Sequence, residues 1–192
     1  LQNLKSYHHY AQKFISKYYI GDKYDLPEPF VEGYGYIPPC CDFHIEKKTK
    51  FASIMISNKM FAPGHKYRHL LAQEILKSNL PIDIHGRGCK YYNSKDKRIM
   101  GEFKNTEPYD KYKYHIAIEN YQSNYYFSEK ILNPLYRNSV PIYLGCINVE
   151  KYLPNMSIRL TGVIENDMKT LRELYEKSDQ NVKNIDIEDI QK

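Results

Sequence analysis

No stretch of this sequence approaches the roughly 18 consecutive apolar residues of a membrane-spanning helix, and no signal-peptide pattern opens it, so neither a span nor a leader is expected in the chain. Zinc-site spacing is missing as well. The four cysteines are one adjacent pair, Cys40 and Cys41, and two isolated residues, Cys89 and Cys146, with no CxxC. Neighbouring cysteines rarely bridge each other, which favours reduced thiols and a cytoplasmic setting. His65, His69 and His85 stand at no metal-ligand spacing from a carboxylate and read as surface or capping residues, so no metal is expected. An excess of charge of one sign is also lacking, since 28 Lys and Arg against 23 Asp and Glu leave a net +5. That balance fits an anionic ligand or a mixed solubilising surface. The basic residues form no tract, and the 20 tyrosines read as composition bias, so no nucleic acid partner is expected. Neither a Walker loop nor a GxGxxG fingerprint occurs.

What is present suffices for one folded domain. A chain of 192 residues buries a core without disulfides or metal, and 42% hydrophobic with 27% charged residues is an ordinary globular composition. Leu4, Ala11, Phe14, Ile15 and Tyr18 recur at helical spacing and predict a helix over Leu1 to Tyr19. From Asp25 to Cys41 the residues Pro27, Pro29, Gly33, Gly35, Pro38 and Pro39 predict a loop, so residues 1–50 read as a helix and a linker. The start at Leu1 rather than Met reads as a domain taken from a longer protein.

From Phe51 strands and helices alternate. Phe51 to Ser57, Pro81 to His85, Tyr114 to Ile118, Val140 to Leu144 and Ser157 to Leu160 have the length and apolarity of strands. Lys66 to Ser78, Ser128 to Arg137 and Glu165 to Lys177 have helical spacing, with Pro134 set to shorten or kink the second. The alternation predicts an α/β, Rossmann-like domain over residues 51–177, a mostly parallel sheet flanked by helices. A polar tail follows over residues 178–192, in which Ile185, Ile187 and Ile190 offer docking points. Such sheets bind ligands outside the carboxyl ends of their strands, which points to Ser57-Asn58, Gly86-Arg87-Gly88, Glu119-Asn120 and Gly145.

Two constellations there carry chemistry. Glu119-Asn120 is followed by a Tyr-rich loop and by Tyr126-Phe127-Ser128-Glu129-Lys130 at a helix start. A helix N-terminus attracts phosphate, Lys130 adds a full charge, and Glu129 suits ribose hydroxyls. By local pattern alone Ser128 reads equally as a plain N-cap, Glu129 as a first-turn acid and Lys130 as a solvated residue. Arg68, in the helix after the first strand, has the planar fork that matches phosphate oxygens, although by itself it reads as a surface residue of an amphipathic helix. Gly145 ends the strand Val140 to Leu144 where a nucleotide can approach the backbone.

The order of these pieces resembles the signature of glycosyltransferase family 10, the α-1,3/α-1,4-fucosyltransferases. The match runs through Ser57-Asn58, Arg68, Ile82-Asp83-Ile84-His85-Gly86, Tyr114 to Asn120, Tyr126 to Leu132, Val140 to Gly145 and Leu153-Pro154. The resemblance implies the C-terminal, donor-binding half of a GT-B enzyme that holds GDP-fucose and transfers fucose to a glycan hydroxyl with inversion. It implies Arg68 and Lys130 on the diphosphate, Glu129 on the ribose, Asn120 and Tyr126 lining the phosphate and sugar pocket, and Glu119 close to the fucose. Ser57, Asn58, Ser128 and Gly145 complete the expected substrate contacts, with Glu119, Arg68 and Lys130 taken as catalytic. It implies no cofactor and no obligatory metal. Ser128 stands where the family more often has Thr. In the family an acceptor-binding domain precedes this segment and brings the general base, whereas about fifty residues precede Phe51 here, so the acceptor side is expected from elsewhere in the protein or from a partner chain, or the site is pared down. Two alternatives stay open: the same fold with another nucleotide-sugar donor, or a non-catalytic glycan- or nucleotide-binding module.

Overall fold

Residues 2–34, 38–93 and 95–185 are described by a computed structural model, and along them the chain opens with α1 (Gln2–Phe14), β1 (Tyr18–Ile20) and β2 (Phe30–Glu32). The helix expected to reach Tyr19 stops at Phe14. Tyr18, Tyr19 and Ile20 favour extended backbone and pair in parallel with Phe30, Val31 and Glu32. Tyr18 sets its ring edge-on to Phe30 at 5.4 Å between centroids. The stretch read as a linker therefore contains a strand, because its prolines lie outside the three residues that pair.

The main sheet begins with β3 (Lys50–Met55), α2 (Pro63–Lys77), β4 (Ile82–His85) and β5 (Ile99–Gly101). It continues with α3 (Glu107–Asp110), β6 (Tyr112–Ile118), α4 (Glu129–Tyr136), β7 (Val140–Leu144), β8 (Ile158–Arg159) and α5 (Ile164–Ile185). The strands lie in the order β5-β4-β3-β6-β7-β8, and every neighbouring pair is parallel. The first three strands thus run outward on one side and the last three on the other, which is the doubly wound order with its switch point between β3 and β6. The Rossmann-like sheet read from the sequence is the sheet observed.

Strand alternation sends side chains to two cores. Ala52, Ile54, Ile84, Ile116, Ile118 and Ile142 face α2 and α5 through Leu71, Ile75 and Leu171, whereas Ala117 and Tyr143 face Phe127 and Ile131 at the start of α4. Both faces are covered, as a parallel sheet requires.

Differences from the sequence reading are local. The strand β5 and the single turn α3 were not foreseen, since three apolar or small residues after Asp96-Lys97-Arg98 give too short a run. Helix α2 starts at Pro63 rather than near Lys66, with proline in the first turn and the Nδ1 of His65 accepting from the Ala62 N–H at 3.2 Å. Helix α5 continues past Lys177 to Ile185, so the tail expected from Ser178 is helical over its first part, and Ile187 and Ile190 lie outside the described residues.

The crossing from β3 to α2 returns the chain to the end of β6. There the Gly64 N–H donates to the Asn120 carbonyl at 3.0 Å, and a Cβ on Gly64 would overlap the Glu119 carbonyl. Gly64→Ala is therefore expected to cost about 1–3 kcal/mol in urea unfolding. Gly33→Ala, where the nearest atom to a new Cβ is 3.6 Å away on Tyr19, is expected to stay within about 0.5 kcal/mol of the parent.

Candidate active site

The chain beyond β6 turns on Glu119, which is 2% exposed. A carboxylate so buried must be compensated, and the compensation comes from the start of α4. The Ser128 N–H donates to one Glu119 oxygen at 2.8 Å, the Ser128 hydroxyl lies 2.9 and 2.8 Å from the two oxygens, and the Lys130 ammonium stands 3.5 Å away. Ser128 is at the same time the N-cap of α4, its hydroxyl 3.4 Å from the Lys130 N–H. The residues Ser128 to Lys130 are thus tied to the end of β6 by one acid. Burial raises the Glu119 pKa above the ordinary carboxylate value, opposed by Lys130 and the Ser128 bonds.

Lys130 has a second acidic partner. Its ammonium lies 2.9 Å from Glu129 Oε1. Burial alone would lower the Lys130 pKa, but Glu119 and Glu129 overcome it and the net shift is upward. Glu129 shifts the other way: burial would raise it, and the bond to Lys130 holds it below its ordinary value.

Arg68 reaches the same place from α2. It is 7% exposed, its Nε donates to the Gly64 carbonyl at 3.1 Å, and its Nη2 donates to the Asn120 side chain at 2.6 Å. Burial lowers its pKa, with Glu119, Glu129 and Tyr126 acting in the opposite sense. The Tyr126 hydroxyl is raised first by burial and next by Glu119, while Lys130, Glu129 and Arg68 also act on it. The structure therefore brings Arg68, Glu119, Asn120, Tyr126, Ser128, Glu129 and Lys130 into one electrostatic neighbourhood.

Ser57 and Asn58 lie at the carboxyl end of β3, in the wall of an open cavity of about 400 Å³ that Arg68, Lys59, Arg87, Phe103 and Met55 also line. Arg87 of the turn after β4 faces it, paired with Glu102 at 3.4 Å. Met55 and Phe103 also line a second cavity of about 530 Å³, whose walls include Glu129, Asn105, Thr106, Asn133 and Arg137. The crevice thus extends from Arg68 around Phe103 to Glu129. Phe103, Met55 and Asn133 were not singled out from the sequence. Phe103 follows the unforeseen β5 and its glycine, and that strand was the available signal.

A Cβ on Gly145 would overlap the Tyr143 hydroxyl and the Glu119 Cγ, so the protein's own side chains already crowd this glycine. One expectation is corrected. His65, His69 and His85 are buried rather than on the surface. His69 lies 2.7 Å from both the Ser57 carbonyl and the Tyr92 hydroxyl, and His85 lies 2.9 Å from the Tyr112 hydroxyl with its pKa lowered by burial to about 4. His65 is the capping residue of α2, as read.

The description "glycosyltransferase family 10 (fucosyltransferase) C-term" matches residues 45–180. A candidate fucosyltransferase of Acanthamoeba polyphaga mimivirus is 28% identical over 153 residues, 76% of this chain and 23% of that protein. A fucosyltransferase-like protein of Arabidopsis thaliana is 30% identical over 112 residues, 57% of this chain and 20% of that protein. Among solved structures, an α1,3-fucosyltransferase with GDP-fucose superimposes with a TM-score of 0.50 at 23% identity, over 67% of this chain and 35% of that one. The chain spans about a quarter of the mimivirus relative and a third of the enzyme of known structure.

Ser128→Ala removes both the cap and the hydroxyl at Glu119, and is expected to cost about 1–3 kcal/mol of stability. The hydroxyl favours the ionised acid, so its loss raises the folded-state pKa of Glu119 further above the unfolded value. The folded variant then holds the proton more tightly, and its deficit relative to the parent grows as pH rises through that window. Urea unfolding at pH 4 and pH 8 measures this, with the larger deficit expected at pH 8.

Proposed function

The chain belongs to glycosyltransferase family 10 (fucosyltransferase), and on that premise we propose that it is the donor-binding half of an enzyme that takes GDP-fucose and transfers fucose, with inversion, to a glycan hydroxyl. The observation that carries this reading is the convergence of two cations from separate helices, Arg68 and Lys130, at the switch point of the sheet.

In this reading Arg68 and Lys130 clamp the diphosphate. Lys130, now shared between Glu119 and Glu129, turns toward the phosphate oxygens, which releases Glu129 to accept from ribose hydroxyls. Asn120 and Tyr126 line the phosphate and sugar end, and Ser57 and Asn58 close the crevice from β3. As the bond between fucose and phosphate breaks, negative charge grows on the departing GDP, and two fixed cations in a half-buried site stabilise it without reorganising. Cationic side chains do here what a metal does in other transferases, and no cofactor is assigned.

Glu119 receives a different role from the one expected of it. Its oxygens are taken by Ser128 and Lys130, so it acts through them as a positioning residue. With Glu129 committed to Lys130 and then to ribose, the carboxylate that activates the acceptor hydroxyl is assigned to the part of the enzyme, or the partner chain, that faces this half.

Calorimetric titration with GDP, GDP-fucose, GDP-mannose and UDP-glucose tests the donor. GDP and GDP-fucose are expected to bind selectively, with affinity falling as salt rises. Arg68→Ala and Lys130→Ala are each expected to weaken GDP by about 1–3 kcal/mol, roughly fivefold to 150-fold. Unchanged affinity in both variants would remove the site assignment, and selective binding of UDP-glucose would keep the fold and replace the donor.

A further inference from the structure

Of the Tyr-rich loop over residues 121–127, the function above uses only Tyr126. On its outer side the loop meets the N-terminal segment. Tyr34, just after β2, stacks face to face on Phe127, with centroids 3.9 Å apart and planes 4° from parallel. Phe127 is 3% exposed and stands between Tyr126 and Ser128. Tyr152 completes the group, 5.4 Å from Tyr34 and 5.6 Å from Phe127. Two residues earlier on the same segment, Glu32 accepts from the Lys23 N–H at 3.1 Å and raises the pKa of the Tyr125 hydroxyl. The backbone of Tyr125 has a positive φ of 57° and its N–H donates to Asn148 at 2.8 Å, so the loop is bent at the point where Glu32 meets it.

We infer that the segment over residues 30–34 is a working part of the donor site, with Tyr34 and Glu32 as positioning residues that hold the loop so that Tyr126, Glu129 and Lys130 face the crevice. The inference rests on the donor reading above. Glu32 and Tyr34 themselves lie outside residues 45–180, the span that the family matches. Glu119 ties Ser128, just after this loop, to the sheet, and Tyr34 covers Phe127 beside it.

Two measurements decide it. Amide hydrogen exchange on the chain without nucleotide compares the parent with Tyr34→Ala, Tyr34→Phe and Glu32→Gln, and calorimetry gives the GDP affinity of each. Tyr34→Ala is expected to speed exchange over residues 126–130 with β3 and β6 unchanged, and to weaken GDP by about threefold to tenfold, the scale of one aromatic stack. Tyr34→Phe keeps the stacked ring and is expected to stay closer to the parent than Tyr34→Ala in both readouts, while Glu32→Gln is expected to speed exchange at Tyr125 and Tyr126. Unchanged exchange in Tyr34→Ala overturns the inference, as does faster exchange with unchanged GDP affinity. If Tyr34→Ala does not fold, Tyr34→Leu, which keeps apolar bulk and loses the stack, takes its place with the same two readouts. A parent chain that binds no GDP overturns the donor reading, and exchange then still decides whether Tyr34 holds the loop.

Discussion

Burying one carboxylate at the end of a strand commits everything around it. Glu119 is 2% exposed, and an uncompensated charge there would cost several kcal/mol. The chain answers by folding Ser128 and Lys130 back onto it, which fixes where α4 begins and where the Lys130 ammonium stands. Gly64 and Gly145 follow from the same constraint. A Cβ at the first would meet the Glu119 backbone, and a Cβ at the second its side chain. With Gly64 seated, α2 starts against Asn120 and carries Arg68 to it. The two cations stand near the switch point beside one buried acid and two glycines that allow the chain to pack against it.

This arrangement separates holding from reacting. Glu119 is bonded to Ser128 and lies beside Lys130, whereas Glu129 is half-buried and paired to the same ammonium, and in the proposed reading it exchanges that partner for the donor. Lys130 carries an upward pKa shift and Glu129 a downward one, so both are charged across the neutral range and ready for an anionic guest. Beside these residues the loop over residues 121–127 ends at Phe127, on which Tyr34 of the N-terminal segment stacks.

Much of this was legible in the sequence, and the limits have physical causes. The strand end at Ser57 pointed to the crevice, because in a parallel sheet ligand residues follow strands, and Ser57 and Asn58 line its wall. Strand β6 and the start of α4 were read within two residues, since Ile116, Ala117 and Ile118 form a buried run and Ser128 is a strong cap. What a side chain does once folded was less visible. Glu119 looked like a residue beside the sugar, and its commitment to Ser128 follows from a turn of the chain that no spacing encodes. β1, β2 and β5 escaped notice because three residues give no periodicity, and their pairing is made by partners distant in sequence. The stacking of Tyr34 on Phe127 joins residues too far apart for any local pattern to show.

The central claim is that Arg68 and Lys130 meet one diphosphate while Glu119 stays out of the reaction. A crystal structure of the chain with GDP-fucose tests it most directly. The account predicts phosphate oxygens within hydrogen-bond distance of both Arg68 and Lys130, Glu129 turned to the ribose, and Glu119 still bonded to Ser128. A diphosphate bound elsewhere, or Glu119 released from Ser128 and in contact with the sugar, would contradict it.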